Sequence, residues 1–119
     1  MRPKGWEIRI RDILHAAQKI ALHTHEMTFD QFARDEWTVD AVLRNLTVIG
    51  EAARHVPDEI CAQYRDIQWQ DIRDMRNIVV HEYFGVDLSV VWLTIEQDLP
   101  GLITKLELLL TSDASFVLM

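Results

Sequence analysis

The apolar residues of this chain recur at three- and four-residue steps, which is the period of an amphipathic α-helix and not of a β-strand. The first such stripe, within residues 5–27, consists of Trp6, Ile10, Ile13, Leu14, Ala17, Ile20 and Ala21. Strand-like alternation of apolar and polar residues is absent, and the 119 residues contain only 4 glycines and 3 prolines. The spacing therefore predicts an all-α fold, an up-and-down bundle of four to five helices with short connections.

The size of the chain and its single cysteine limit what kind of protein it can be. A length of 119 residues fits one domain, so we expect residues 1–119 to form a single helical unit, with a tail at 112–119 that frays or packs on a partner. No apolar run reaches the ~20 residues of a membrane span, and the N-terminus lacks the apolar segment of a signal peptide. Cys61 is the only cysteine, which excludes an internal disulfide and a cysteine-rich zinc site. We therefore expect a cytoplasmic protein without a membrane span.

Local signals in the first half of the chain predict where helices begin and where they pack. Thr28 and Gln31 have the spacing of a capping box for a short helix over 29–34. Thr38 is predicted to cap the next helix, whose apolar stripe is Val39, Val42, Leu43, Leu46, Ile49, Gly50 and Ala53. A glycine in mid-helix costs about 1 kcal/mol relative to alanine. Gly50 therefore indicates a close approach by a second backbone.

Proline, glycine and acidic residues mark the helix ends of the second half. Pro57, followed by two acidic residues, predicts a short helix to about Tyr64. A longer helix is expected over 69–84, ending near Gly85. Asp87 or Ser89 is expected to start the last helix, which Pro100 and Gly101 should kink or break before a second segment over 102–110.

The charge of the chain is negative overall but unevenly distributed. The formal net charge is −7, which argues against non-specific binding to nucleic acid. Eleven of the twelve basic residues lie at or before Arg76, whereas six of the nineteen acidic residues follow it. Any anion-binding patch must therefore be local and built largely from arginines.

The predicted helix over 69–84, WQDIRDMRNIVVHEYF, carries the residues best suited to chemistry. Asn77 and His81 lie four residues apart, hence on one face. Arg76 precedes His81 by five residues, about 140° and roughly 7.5 Å along the helix, a gap that a long arginine side chain can bridge. Arg73 neighbours Asn77 on the same helix.

These residue types suit phosphodiester cleavage without a metal or other cofactor. Histidine titrates near neutrality and can exchange protons, arginine offers a planar fork to phosphate oxygens, and asparagine can orient the nucleophile. One histidine in the motif of each chain is little for acid–base catalysis, but a two-fold dimer would bring two copies of the helix to one cleft. On spacing alone, a surface ion pair and an interaction of His81 with the helix dipole explain Arg76 and His81 more simply.

Other polar and aromatic residues have simpler interpretations. His15, His23 and His25 do not form a metal-binding pattern, and we expect solvated histidines near a helix end rather than a metal site. Glu51 follows Gly50 within an apolar segment, and we expect it to support the site by pairing with a buried arginine such as Arg44 or Arg76; lining the cleft is the alternative. The tryptophans, which are Trp6, Trp37, Trp69 and Trp92, are interpreted first as core or interface anchors.

Four segments of the chain resemble the HepT family, a group of HEPN-domain toxins paired with a small nucleotidyltransferase antitoxin. They are VLRNLTVIGEAA (42–53), IQW (67–69), DMRNIVVHEYFGVD (74–87) and VWLTIEQDLPGL (91–102). The segments appear in the family's order and cover about the middle half of the chain.

The resemblance implies a fold, an activity and a role for each motif residue. HEPN toxins are all-α homodimers, similar to metal-independent endoribonucleases in which the ribose 2′-hydroxyl attacks the adjacent phosphate at a composite cleft. By position, Arg76 would stabilise the developing charge, Asn77 would assist, and His81 would be the acid–base group. Tyr83 matches the tyrosine that the antitoxin modifies with AMP. Apart from the resemblance, we expect Glu51 and Arg73 to support the site from their places in the sequence. The chain would then be the toxin of a type VII-like toxin–antitoxin system.

Two other functions are compatible with the same residues. In the first, the chain is a non-catalytic partner subunit of a nucleotidyltransferase, and the cleft of the helical chain holds a nucleotide or substrate. The acidic charge and the single histidine of the motif favour this interpretation. In the second, the chain is a degenerate structural dimer without an active cleft. Placement of Arg76 and His81 away from any two-fold interface would favour that case.

Overall fold

Every element of secondary structure in the described part of this chain is helical, as the apolar spacing predicts. The computed structural model describes the backbone of residues 5–82 and 87–118 and the side chains of residues 5–78 and 87–112. The elements are α1 (Trp6–Thr24), α2 (Phe29–Arg34), α3 (Glu36–Arg54), α4 (Asp58–Gln63), α5 (Trp69–Glu82), α6 (Leu88–Leu93), a π-helical turn (Thr94–Asp98) and α7 (Leu99–Leu118). None of these helices is long and apolar enough to cross a bilayer.

The four long helices form the bundle, and the short ones connect them. Helix α3 packs against α1 on one side and α5 on the other, while α7 packs against α1. The fully buried side chains that fill the space between these helices include Ile10, Ile13, Ile20, Phe32, Leu46, Ile49, Ile60, Leu99 and Leu106. Burial of such side chains contributes roughly 1.5–3 kcal/mol each, so helix packing holds α5 in a fixed position against α3.

Most of the predicted helix ends are confirmed, and one cap is not. The capping box of Thr28 and Gln31 is present, and Asp87 caps α6 by accepting a hydrogen bond from the Ser89 N–H. Helix α3 is capped by Asp35 instead of the predicted Thr38. Asp35 accepts hydrogen bonds from the N–H and the hydroxyl of Thr38, which lower the pKa of its carboxyl. Thr38 lies inside the first turn, where its N–H is one of the donors that need a cap.

Of the kink or break predicted at Pro100 and Gly101, the break is wrong. Helix α7 begins at Leu99 and continues through both residues to Leu118. The irregularity lies one turn earlier, in the π-helical turn, where the Leu99 N–H donates to the carbonyl of Thr94. Pro100 directly follows this wider turn, so the turn against which its ring would clash does not have α-helical geometry. The backbone of the tail, for which fraying is one expectation, is helical as far as Leu118.

The four tryptophans differ in burial. Trp6 and Trp69 are buried in the core as predicted, and Trp92 is partly buried beside Phe32. Trp37, in contrast, is 87% exposed at the start of α3. A core role for Trp37 is therefore wrong, whereas its role as an interface anchor stays a prediction.

Candidate functional site

The candidate site is built on the contact between α3 and α5, which passes through Gly50. A Cβ atom added to Gly50 would lie 2.9 Å from both the Cβ and the backbone nitrogen of Arg76, and 3.1 Å from the carbonyl oxygen of Arg73. Such distances leave no space for a side chain. The close backbone approach predicted from a mid-helix glycine is thus confirmed, and the approaching backbone carries the two candidate arginines.

Arg73 is held on the inner side of this contact. Its Nε lies 3.4 Å from the carbonyl oxygen of Ala53, and a terminal nitrogen lies 3.4 Å from Sγ of Cys61 on α4. Burial raises the pKa of the Cys61 thiol, and the Arg73 charge opposes that effect without cancelling it. Arg73 therefore links α5 to the end of α3 and to α4, which is the geometry of a supporting residue.

Arg76 lies at the outer edge of the same contact and is paired with Glu51. Its Nε lies 2.8 Å from Oε1 of Glu51, so one of the two arginine partners predicted for Glu51 is correct. The side chain of Arg76 is 47% exposed, so it is not the buried arginine that was expected. Solvent can reach this guanidinium group, and so can an anionic ligand.

A second arginine approaches the same carboxylate. Arg54, one turn after Glu51 on α3, places a terminal nitrogen 3.6 Å from Oε1 of Glu51. This contact was missed because Arg54 lies at the end of α3, outside the motif on α5. An i, i+3 spacing on one helix is the signal that could have found it. Two arginines thus share one glutamate, so the cluster of Glu51, Arg54 and Arg76 carries one net positive charge on an acidic protein.

The remaining motif residues are placed by α5 alone. Asn77 follows Arg76 directly and is exposed. His81 lies in the last turn of α5, four residues after Asn77, and its side chain lies outside the described residues. Tyr83 lies outside the described residues altogether, as does the predicted helix end near Gly85. The described contacts therefore bring together Glu51, Arg76 and Arg54, whereas Arg73 contacts Ala53 and Cys61.

The other candidates do not form a site. Among the side chains of residues 5–78 and 87–112, no group of three or more histidine, cysteine or acidic residues could hold a metal ion. His15, His23 and His25 are exposed, and Nε2 of His23 lies 3.1 Å from Oγ1 of Thr38. A groove of about 220 Å³ lies on a different face of α5, lined in part by Met75, Gln97 and Lys105. The sequence carried no signal for this groove.

Comparison with known proteins confirms the family resemblance. The family model described as Ribonuclease HepT-like matches residues 13–109. A relative named Probable ribonuclease HepT, from Thermococcus cleftensis, is 38% identical over 82% of this chain and 89% of its own length. A relative named "Putative RNase", from Methanocaldococcus jannaschii, is 34% identical over 81% of this chain and 79% of its own length. Another relative named "Putative RNase", from Caldanaerobacter subterraneus, is 31% identical over 78% of this chain and 83% of its own length. No solved structure gives a significant match. Since the family model spans most of the chain, this chain belongs to the ribonuclease HepT-like family.

Proposed function

We propose that this protein is a metal-independent endoribonuclease and the toxin of a type VII-like toxin–antitoxin system, active as a cytoplasmic homodimer. The observation that carries the proposal is the placement of Arg76. Its guanidinium group is half exposed, fixed at one edge by Glu51, and lies on the same helix as Asn77 and His81. Family membership supplies the reaction class, since the Thermococcus relative is named as a ribonuclease.

In the proposed reaction, the ribose 2′-hydroxyl attacks the adjacent phosphorus and the P–O5′ bond breaks. One His81 accepts the proton of the 2′-hydroxyl, and the His81 of a second copy donates a proton to the departing 5′-oxygen. Arg76 stabilises the charge that develops on the phosphate oxygens, and Asn77 orients the nucleophile. The products are a 2′,3′-cyclic phosphate and a free 5′-hydroxyl, so neither a metal nor an external co-reactant is needed.

The 2′-hydroxyl mechanism is tested with a DNA oligonucleotide that contains a single ribonucleotide. We expect cleavage only on the 3′ side of the ribose, at a rate that EDTA does not change, because the nucleophile belongs to the substrate. Mass spectrometry of the fragments should show the cyclic phosphate. Cleavage of an all-deoxy strand, or loss of activity in EDTA that Mg²⁺ restores, would contradict the mechanism. Tight binding to a nucleotidyltransferase without any RNA cleavage would support the non-catalytic alternative.

We further propose that a cognate minimal nucleotidyltransferase antitoxin silences the enzyme by transferring AMP to Tyr83. The tyrosine follows His81 by two residues, so a phosphate added there carries negative charge close to the motif. That charge would compete with RNA for the arginines and repel its backbone.

The modification is checked by the intact mass of the protein after co-expression with the transferase. We expect a gain of one or more AMP units that maps to Tyr83, together with loss of RNA cleavage. The Tyr83→Phe protein should gain no mass and remain active in the presence of the transferase. An unmodified Tyr83 in a silenced wild-type protein would show that inhibition occurs by binding alone.

A further inference from the structure

The contact between Glu51 and Arg76 engages one particular nitrogen of the guanidinium group. A guanidinium carries five N–H donors, one on Nε and four on the terminal nitrogens. Oε1 of Glu51 lies 2.8 Å from Nε. This pairing occupies the side-on edge of the group, and no side chain in the described part of the chain is seen on its terminal fork. A phosphate that forms two parallel hydrogen bonds with Arg76 would therefore meet its end-on edge.

The position of Glu51 is itself fixed by the packing of the helices. It directly follows Gly50, where the α3 backbone touches the backbone of Arg76. Its carboxylate also lies 3.6 Å from Arg54. The carboxylate is thus held between two guanidinium groups at the closest point of α3 and α5. An arginine has several rotatable bonds, and a fixed carboxylate at Nε restricts them.

The solvent exposure of this cluster indicates that its ion pairs position side chains and add little to the stability of the fold. The side chains of Glu51, Arg54 and Arg76 are 42%, 56% and 47% exposed. Ion pairs that solvent reaches to this degree contribute little to folding. A carboxylate close to a phosphate-binding site would also weaken RNA binding, because both groups are negatively charged. Glu51 therefore weakens ligand binding and adds little to stability. Orienting Arg76 is the role that would account for a carboxylate at this position.

We propose that Glu51 is a positioning residue that holds Arg76 through Nε and directs its terminal fork to the phosphate of the RNA. This inference rests on the proposed ribonuclease function. Glu51 itself does not touch the reacting atoms. It acts through Arg76, and Arg54 offsets its negative charge.

The proposal is tested by comparing Glu51→Ala and Glu51→Gln with Glu59→Gln. Glu59 is exposed on α4, so its substitution removes the same charge from another part of the surface. We expect Glu51→Ala to lower kcat by about 10- to 100-fold, the effect of a misplaced catalytic group, with KM for RNA unchanged or lower. Glu51→Gln keeps an oxygen acceptor for Nε–H and should recover part of the rate. Glu59→Gln should match the wild type, and circular dichroism should show equal helicity in all variants.

A readout independent of catalysis separates this proposal from the ribonuclease function. The ¹⁵Nε–H signal of Arg76, assigned by its loss in Arg76→Lys, should shift in Glu51→Ala and stay in place in Glu59→Gln. If the wild type cleaves no RNA, the proposed function fails, but the shift still supports the orientation of Arg76 by Glu51. An unshifted signal in Glu51→Ala would overturn the proposal in either case. So would a Glu51→Ala enzyme whose kcat equals or exceeds that of the wild type.

Discussion

Replacing Arg76 with alanine is expected to lower RNA cleavage by about 10²- to 10³-fold, the loss that follows removal of one preorganised donor to a developing negative charge. The fold should survive this substitution. The side chain is half exposed beyond its Cβ, so its removal leaves no cavity in the core. Alanine also keeps the Cβ atom that faces Gly50, and the contact between α3 and α5 is retained.

The measurement compares initial rates on a ribose-containing oligonucleotide with the helical circular dichroism signal. Arg34→Ala is the matched control, since Arg34 is an exposed arginine at the end of α2. That variant should cleave RNA at the wild-type rate. His81→Ala should lose about 10²- to 10⁴-fold, as expected for removal of a general acid–base group. Wild-type cleavage by Arg76→Ala would remove the basis for placing the site on this face of α5.

Contacts within one helix could be predicted from the sequence more fully than contacts between helices. The spacing of Arg76, Asn77 and His81 fixes their relative positions along α5 because the helix has one geometry. The partner of Glu51 could only be narrowed to two arginines, since the register of α3 against α5 depends on the whole core. The contact of Arg73 with Cys61 was missed for the same reason, as it requires α3, α4 and α5 together.

The two helix predictions that the structure corrects have different causes. Pro100 was expected to break the last helix because proline clashes with the preceding turn of an α-helix. The π-helical turn over Thr94–Asp98 changes that preceding turn. At the start of α3, two residues that can cap a helix, Asp35 and Thr38, lie three positions apart. Asp35 is the cap because Thr38 already lies within the helix. Neither outcome follows from local spacing alone.

Gly50→Ala is expected to destabilise the protein by about 1–3 kcal/mol, the usual cost of excess volume in a packed core. Alanine would favour the helical state of α3 by about 1 kcal/mol, which opposes the effect. The added Cβ, however, would lie 2.9 Å from the backbone nitrogen of Arg76 and 3.1 Å from the carbonyl oxygen of Arg73. Backbone atoms of a packed helix cannot rotate away as a flexible side chain can. The two helices must therefore separate.

Gly101→Ala provides the matched control for this prediction. Gly101 also lies within a long helix, α7, but a Cβ added there meets nothing within 4 Å. Its φ is not positive, so alanine should stabilise the protein by about 0.4–1 kcal/mol through the unfolded state. Urea unfolding of the two variants should therefore shift in opposite directions. Separation of α3 from α5 also moves Glu51 away from Arg76. The Gly50→Ala protein should therefore cleave RNA more slowly even at urea concentrations below those that unfold it. Equal stabilisation by both substitutions would show that α3 and α5 do not pack through Gly50.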